Sequence, residues 1–206
     1  MKKRISIFLI LIGIFSGMSQ EIQMGAMYGY YFGGGVYGLY GETKLIATWA
    51  PQYFLSVSPN EFMSIEFNYS AQDTEMRYEE YGFDGVRGYA DIRAAYWNLH
   101  LLREIRQSDA FRPYGMFGVG LAEFNFDNPT FTDDYRMNID AGGGIKYLLG
   151  DSKKVGIRLQ ARLLMPVYFA GTSFYFGTGG SGAALTAGSV MLQGAVSGGL
   201  FLNLGE

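Results

Sequence analysis

In the stretch Val155-Gly156-Ile157-Arg158-Leu159-Gln160-Ala161-Arg162-Leu163-Leu164-Met165-Pro166-Val167, every odd-numbered residue is apolar, while Arg158, Gln160 and Arg162 share the even positions. A period of two marks a β-strand, because successive side chains leave opposite faces of the pleat. One face suits hydrocarbon. The other holds two guanidinium groups, which a close-packed apolar core does not accept without partners. That second face must therefore meet water or a charge-paired interior. At a tilt of roughly 45° a strand of this length crosses a bilayer.

The same alternation recurs on either side of that stretch. Ile22 to Phe32 sets Ile22, Met24, Ala26, Tyr28, Tyr30 and Phe32 against Gln23, Gly25, Met27, Gly29 and Tyr31. Lys44 to Val57 sets Leu45, Ala47, Trp49, Tyr53, Leu55 and Val57 against Lys44, Thr48, Gln52 and Ser56, with a bulge or kink expected at Pro51. Phe62 to Ala71 returns with Met63, Ile65, Phe67 and Tyr69 against Ser64, Glu66, Asn68 and Ser70. Four more segments complete the set: Tyr89 to Leu102, Arg112 to Phe126, Met137 to Leu149 and Ser189 to Leu204. Asp91 and Arg93 share the parity of the apolar set in their segment, which places them above any apolar band.

Eight strands follow, and their connections alternate in length. Short turns follow the second, fourth and sixth strands. Long polar or Gly-rich segments follow the first, third, fifth and seventh, notably 73–88, 127–136 and 169–188. This is the pattern of an all-β, antiparallel up-and-down transmembrane β-barrel with both termini on the short-turn side.

The leader agrees with export. Met1-Lys2-Lys3-Arg4, the apolar run Ile5 to Phe15 and the small residues Ser16, Gly17 and Ser19 read as a secretory signal cut after Ser19. The apolar run is shorter than the roughly 20 residues a spanning helix needs. The expected organisation is a signal peptide over 1–19 and one barrel domain over 20–206. Cleavage of the 206-residue chain leaves 187 residues and, with three cations gone, moves the formal charge from −3 to −6. An acidic chain with no basic run argues against nucleic acid. No cysteine is present, so there is no disulfide or thiolate metal site.

At this point the chain resembles the small eight-stranded outer-membrane barrels of Gram-negative bacteria, the OmpA/OmpX/OmpW-like group. The leader, the period-two strands and the closing segment Gly198-Gly199-Leu200-Phe201-Leu202-Asn203-Leu204 carry the resemblance. In that group the last strand is apolar and aromatic and is read by the barrel-assembly machinery; here Leu204, Gly205 and Glu206 follow Phe201. The resemblance implies the bacterial outer membrane as location, lipid and the assembly machinery as partners, and a monomer. An extracellular ligand at the acidic loops is a further implied partner.

Chemistry-bearing motifs are few. Gly41-Glu42-Thr43-Lys44 leads into a strand and lacks the Gly-Lys-Ser/Thr of a phosphate loop. The carboxylates of 73–88 match no calcium-loop spacing. His100, the single histidine, reads as hydrogen-bonded filling near the short-turn end, and no catalytic set, cofactor site or metal site is nominated. The expected interior polar set is Lys44, Glu66, Asn68, His100, Asp140, Lys146, Arg158, Gln160, Arg162 and Gln193. Strands six and seven admit two registers. Setting Leu149 against Val155 puts Lys146 opposite Arg158, a like-charge pair. A slip of two sets Asp140 against Arg162 and lays each long side chain over a glycine, and this is the expected register.

The function these features support is a non-enzymatic barrel serving membrane integrity, surface interaction or limited small-solute passage. Two alternatives stand beside it. A soluble periplasmic lipocalin-like barrel requires the apolar face inward. A lipid-modifying enzyme requires His100 at the long-loop end.

Overall fold

The computed structural model describes residues 21–37, 41–80, 82, 86–105, 108, 110–127, 133–177 and 180–204. The leader, on which the signal-peptide reading rests, lies outside these residues. Eleven strands occur among them: β1 (Glu21–Tyr31), β2 (Gly34–Tyr37), β3 (Gly41–Leu45), β4 (Thr48–Ser58), β5 (Met63–Glu80), β6 (Val86–Glu104), β7 (Phe111–Phe126), β8 (Asp134–Leu149), β9 (Val155–Gly177), β10 (Gly180–Val190) and β11 (Gln193–Asn203).

Eight of these form a closed wall in the order β1-β4-β5-β6-β7-β8-β9-β11 and back to β1, every neighbour antiparallel. The hairpin β2–β3 carries the first two staves further, and β10 leads into β11. The turns at 59–62 and 150–154 gather at one end with Glu21, Asn203, the end of β6 at Glu104 and the start of β7 at Phe111. The last of these bends through Gly150 (φ 67°) and Lys153 (φ 49°), left-handed positions that a tight reversal demands.

At the other end the strands run further than the alternation suggested. The polar segment 73–88 is mostly hairpin: β5 continues to Glu80 and β6 begins at Val86. The segment 169–188, expected as a loop, is taken up by β9 and β10, which pair from Val167↔Val190 to Gly177↔Gly180. Polar composition marked these stretches as solvent-facing, but solvent-facing residues extend a ladder as readily as they form a loop.

The bulge or kink expected at Pro51 is not there: β4 pairs with β1 in unbroken register through Pro51 to Thr48, with Trp49 exposed and Ala50 buried, and the chain leaves the strand at Ile46 and Ala47, between β3 and β4. Gln52 pairs with Ser70 and Leu45 with Met76, so six residues of one stave oppose five of the other. The β4–β5 ladder ends at Gln52↔Ser70, next to Pro51, which has no N–H to donate, but the faces stay in step to Trp49 and the extra residue is taken up at Ile46 and Ala47. The extra residue reverses the faces above it. Leu45, expected outside, is buried, and Lys44, expected inside, stands on the outer face with a side chain 39% exposed.

Elsewhere period two holds. Met63, Ile65, Phe67, Leu99, Leu101, Phe117, Val119, Leu121, Ile157, Leu159, Leu200 and Leu202 all face out and are exposed. On β5 the outward apolar run extends from Met63 to Ala71 before Asp73, or about 27 Å of strand at roughly 3.4 Å per residue. Tilted by roughly 40°, that makes a belt about 20 Å tall. The lipocalin-like alternative needs the reverse pattern, with apolar side chains inward.

Candidate functional site

The interior is filled in layers, and the layers are crossed by contacts between staves that stand opposite one another. Four such contacts stand at successive heights. At the turn end, Arg112 of β7 donates to both carboxylate oxygens of Glu21 on β1, at 2.7 and 3.0 Å. Beside it Lys146 donates to Gln23 at 2.8 Å and to Glu104.

Above that, Arg158 of β9 reaches Glu66 of β5 with two bonds, at 2.5 and 3.0 Å. Its guanidinium also donates to the Tyr114 hydroxyl at 2.6 Å and lies over the Phe54 and Tyr114 rings, 4.3 and 4.7 Å from their centroids. One step higher, Arg162 donates to Asp140 at 3.0 Å, to Asn68 of β5 at 3.0 Å and to the Tyr31 hydroxyl at 2.9 Å. Asp140 Oδ2 also accepts from Asn98 and stands 2.9 Å from His100 Nε2. At the fourth height Tyr96 of β6 donates to Gln193 of β11 at 2.8 Å, and Gln72 donates to the same oxygen at 3.0 Å.

Four carboxylates (Glu21, Glu66, Glu104, Asp140) thus face four cations (Arg112, Lys146, Arg158, Arg162). Buried charges persist only when paired in this way. Asn68 Nδ2, Gln160 Nε2 and Asp140 Oδ1 lack a protein partner and are places for buried water.

Above this stack the interior turns apolar. Tyr31, Leu45, Ala50, Ile92, Ala94, Ala122, Phe124, Leu164, Met191 and Ala195 pack together at the open end, joined by Met76 and Phe126. The wall around this chamber is incomplete on one side. β2 pairs with β3, β10 pairs with β9, and among the described residues a single bridge, Gly35↔Leu192, links the two edges. A pocket of about 470 Å³ opens there, lined by Gly33, Gly35, Leu45, Ile46, Ala47 and Leu192 among others.

Of the ten residues expected in the interior polar set, the structure buries Glu66, Asn68, His100, Asp140, Lys146, Arg158, Gln160, Arg162 and Gln193. Lys44 is the exception: it pairs with Glu79 at 2.7 Å and Glu42 at 3.2 Å, whose hydrogen bonds hold its ammonium above the usual lysine range. The acidic segment at the open end forms a groove on the outside of β5 and β6, lined by Asp73, Glu75, Asp91, Arg93 and Asp127 among others.

The expected register of β8 and β9 is corrected. Leu149 pairs with Val155, Lys146 with Arg158, Gly142 with Arg162 and Asp140 with Leu164. The like-charge pair is tolerated because each cation finds its counter-ion on a different stave, Glu104 for Lys146 and Glu66 for Arg158. Arg162 still reaches Asp140, two residues along the ladder, by lying across Gly142. The glycines serve this crossing generally. Gly118 stands between His100 and Asp140 on the ladder, and a Cβ there would meet the His100 ring at 2.2 Å.

Glu21, Gln23, Glu104, Arg112, Tyr31, Tyr96 and Tyr114 were not singled out from the sequence. Parity sets Gln23, Tyr31 and Tyr96 on the inner face of their segments, whereas Arg112 to Phe126 has apolar or aromatic residues at both parities, which leaves the facing of Arg112 and Tyr114 open. Glu104 was hidden because Arg103 to Phe111 reads as a turn, whereas β6 runs through it. His100 lies four residues inside the end of β6, with Asp140 and Glu66 around it at 2.9 and 3.8 Å. Among the described residues no hydroxyl nucleophile is hydrogen-bonded to it.

Solved structures share this architecture. The outer membrane protein OprG from Pseudomonas aeruginosa aligns with TM-score 0.61 at 12% identity, covering 92% of this chain and 97% of that one. The outer membrane protein AlkL aligns with TM-score 0.55 at 12% identity, covering 92% of both chains. Neisserial surface protein A aligns with TM-score 0.52 at 12% identity, covering 89% and 96%. The fold is that of a small outer-membrane β-barrel. At this identity the likeness concerns the fold alone. No protein-family model and no curated protein sequence matches the chain.

Proposed function

We propose that the chain is a non-enzymatic outer-membrane barrel, inserted with its short turns and both termini in the periplasm. Its lumen is a filled scaffold that passes no hydrophilic solute. The observation that carries this reading is the set of contacts across the full width of the interior, Arg112–Glu21, Arg158–Glu66, Arg162–Asn68 and Tyr96–Gln193. An eight-stranded barrel is just wide enough to be filled by side chains, and here they meet at four heights.

The working surface is then the open end. The apolar chamber above the Tyr96–Gln193 contact, together with the broken ladder at Gly35↔Leu192, suits a small apolar molecule that moves between chamber and surrounding lipid without crossing the polar stack. The acidic groove outside β5 and β6 suits a cationic partner.

Planar-bilayer recording on the refolded barrel tests the first part. No stepwise conductance is expected for the intact protein. Steady channels of porin size would overturn the filled-lumen reading. Uptake of a fluorescent fatty acid into cells with and without the protein tests the second, and equal uptake would remove the chamber's proposed role.

A further inference from the structure

One residue interrupts the apolar outer face of the wall. Arg103 is exposed between buried Leu102 and Glu104, so it points outward from β6, on the face that carries Trp97, Leu99 and Leu101. Leu101 precedes it on that face at 50% exposure and Ile105 follows at 61%. Ile105 still belongs to the wall, since its N–H donates to the Pro113 carbonyl at 2.8 Å. The cation therefore stands inside the apolar belt near the turn end and not beyond its edge. Elsewhere near that end the outward positions are apolar, as at Met24, Leu55, Ile157 and Leu202. Among the described residues, Arg103 is the only charged side chain on the outer face of the eight staves between the turn end and the level of Asp73, Arg93 and Glu123.

The protein gives this guanidinium nothing to hold. Arg77 pairs with Glu75, Arg112 with Glu21, Arg136 with Asp134 and Arg158 with Glu66. Among the described residues Arg103 has neither an ion pair nor a hydrogen bond of its side chain. An unpaired cation on a lipid-facing wall is costly, and the cost falls toward the interface. A long basic side chain lowers it by laying its stem along the apolar surface and carrying its charged head to the level of the lipid headgroups. The anion it meets there is phosphate, whose oxygens the planar guanidinium fork takes two at a time.

The neighbours of Arg103 leave space for such a guest. Across the ladder it faces Met63 on β5 and Gly115 on β7. A Cβ built on Gly115 would meet nothing within 4 Å, so the wall beside the arginine is open on the β7 side. Toward the turn end stand Ile105 and Phe62, the latter 58% exposed. An acidic protein approaching from water would have to pass these two apolar side chains, whereas a lipid covers them with its own chains.

We propose that Arg103 is a headgroup site for a phospholipid of the periplasmic leaflet, whose phosphodiester it grips beside Gly115. The choice of leaflet rests on the reading that the short turns face the periplasm.

Native mass spectrometry of the refolded full-length barrel tests it, with the protein released from micelles containing phosphatidylglycerol or a diacylglycerol with the same acyl chains. The wild type is expected to retain phosphatidylglycerol and no diacylglycerol. Arg103→Gln is expected to lower the retained fraction about tenfold or more, the scale of one charge-assisted contact. It should keep the folded gel mobility, since the side chain it replaces makes no contact that holds the wall. Arg103→Lys keeps the charge without the fork and is expected to fall between the two. Lys44→Gln removes an outer-face cation at the opposite end and is expected to change nothing. Protease added to intact cells reads the orientation separately. Cleavage at 150–154 would place Arg103 in the outer leaflet and overturn the orientation, and the proposal with it. With that turn spared, equal retention by the wild type and Arg103→Gln overturns the proposal alone. So do equal retention of the diacylglycerol and an equal loss in Lys44→Gln.

Discussion

Replacing Glu66 by Gln removes the carboxylate that Arg158 grips with two bonds and leaves the guanidinium with the Tyr114 hydroxyl and Gln160. It also leaves Arg158 beside Lys146 on the neighbouring stave, with one acid fewer in the interior. Stranding one member of a buried ion pair costs about 3–5 kcal/mol, whereas a hydrated surface pair is worth under about 1 kcal/mol. Both members are wholly buried here, so the larger figure applies. Replacing both by Met removes the stranded charge, and that double variant is expected to recover most of the loss. The assay is urea unfolding of the refolded barrel in lipid vesicles, followed by the fluorescence of Trp49 and Trp97. These are the only tryptophans and both face outward. A double-mutant cycle through Glu66→Met and Arg158→Met should return a coupling of about 2 kcal/mol or more. A coupling below about 1 kcal/mol would mean that water screens the pair, and the filled-lumen reasoning would fail.

Three further outcomes are expected. Asp140 takes hydrogen bonds from Asn98 and Arg162 and faces His100, so Asp140→Ala should cost about 3–5 kcal/mol and Asn98→Ala about 1 kcal/mol, compared by the same unfolding curves. Gly118→Ala should destabilise by about 1–3 kcal/mol, since a Cβ there would lie 2.2 Å from the His100 ring and 2.7 Å from the Leu99 carbonyl oxygen, while Gly115→Ala, with open space around it, should be close to neutral. The unboiled protein should migrate differently from the boiled one on a gel, and protease added to intact cells should spare the 150–154 turn and cut at the opposite end; cleavage at 150–154 would mean the barrel is inserted the other way.

The sequence by itself determined which face of nearly every stave meets lipid. A period of two needs only local chemistry: Leu99, Leu101, Ile157 and Leu159 cannot all be sheltered on one face unless Asn98, His100, Arg158 and Gln160 take the other. Strand number, antiparallel order and the gathering of the termini with the short turns were legible for the same reason, since alternation and connection length are properties of neighbouring residues. Parity held across Pro51 as far as Thr48 and failed only beyond Ile46 and Ala47, because one extra residue between β3 and β4 reverses every face past it, and Lys44 and Leu45 changed places. The register of β8 against β9 was out of reach of a two-strand argument. Considered alone, Lys146 opposite Arg158 is repulsive, and the slipped register looks better. Only closure of the barrel brings Glu104 from β6 and Glu66 from β5 to the two cations, so the pairing that is unfavourable between neighbours becomes neutral across the lumen. The partner of a side chain in a closed barrel stands several staves away, at a height set by the stagger of the whole wall.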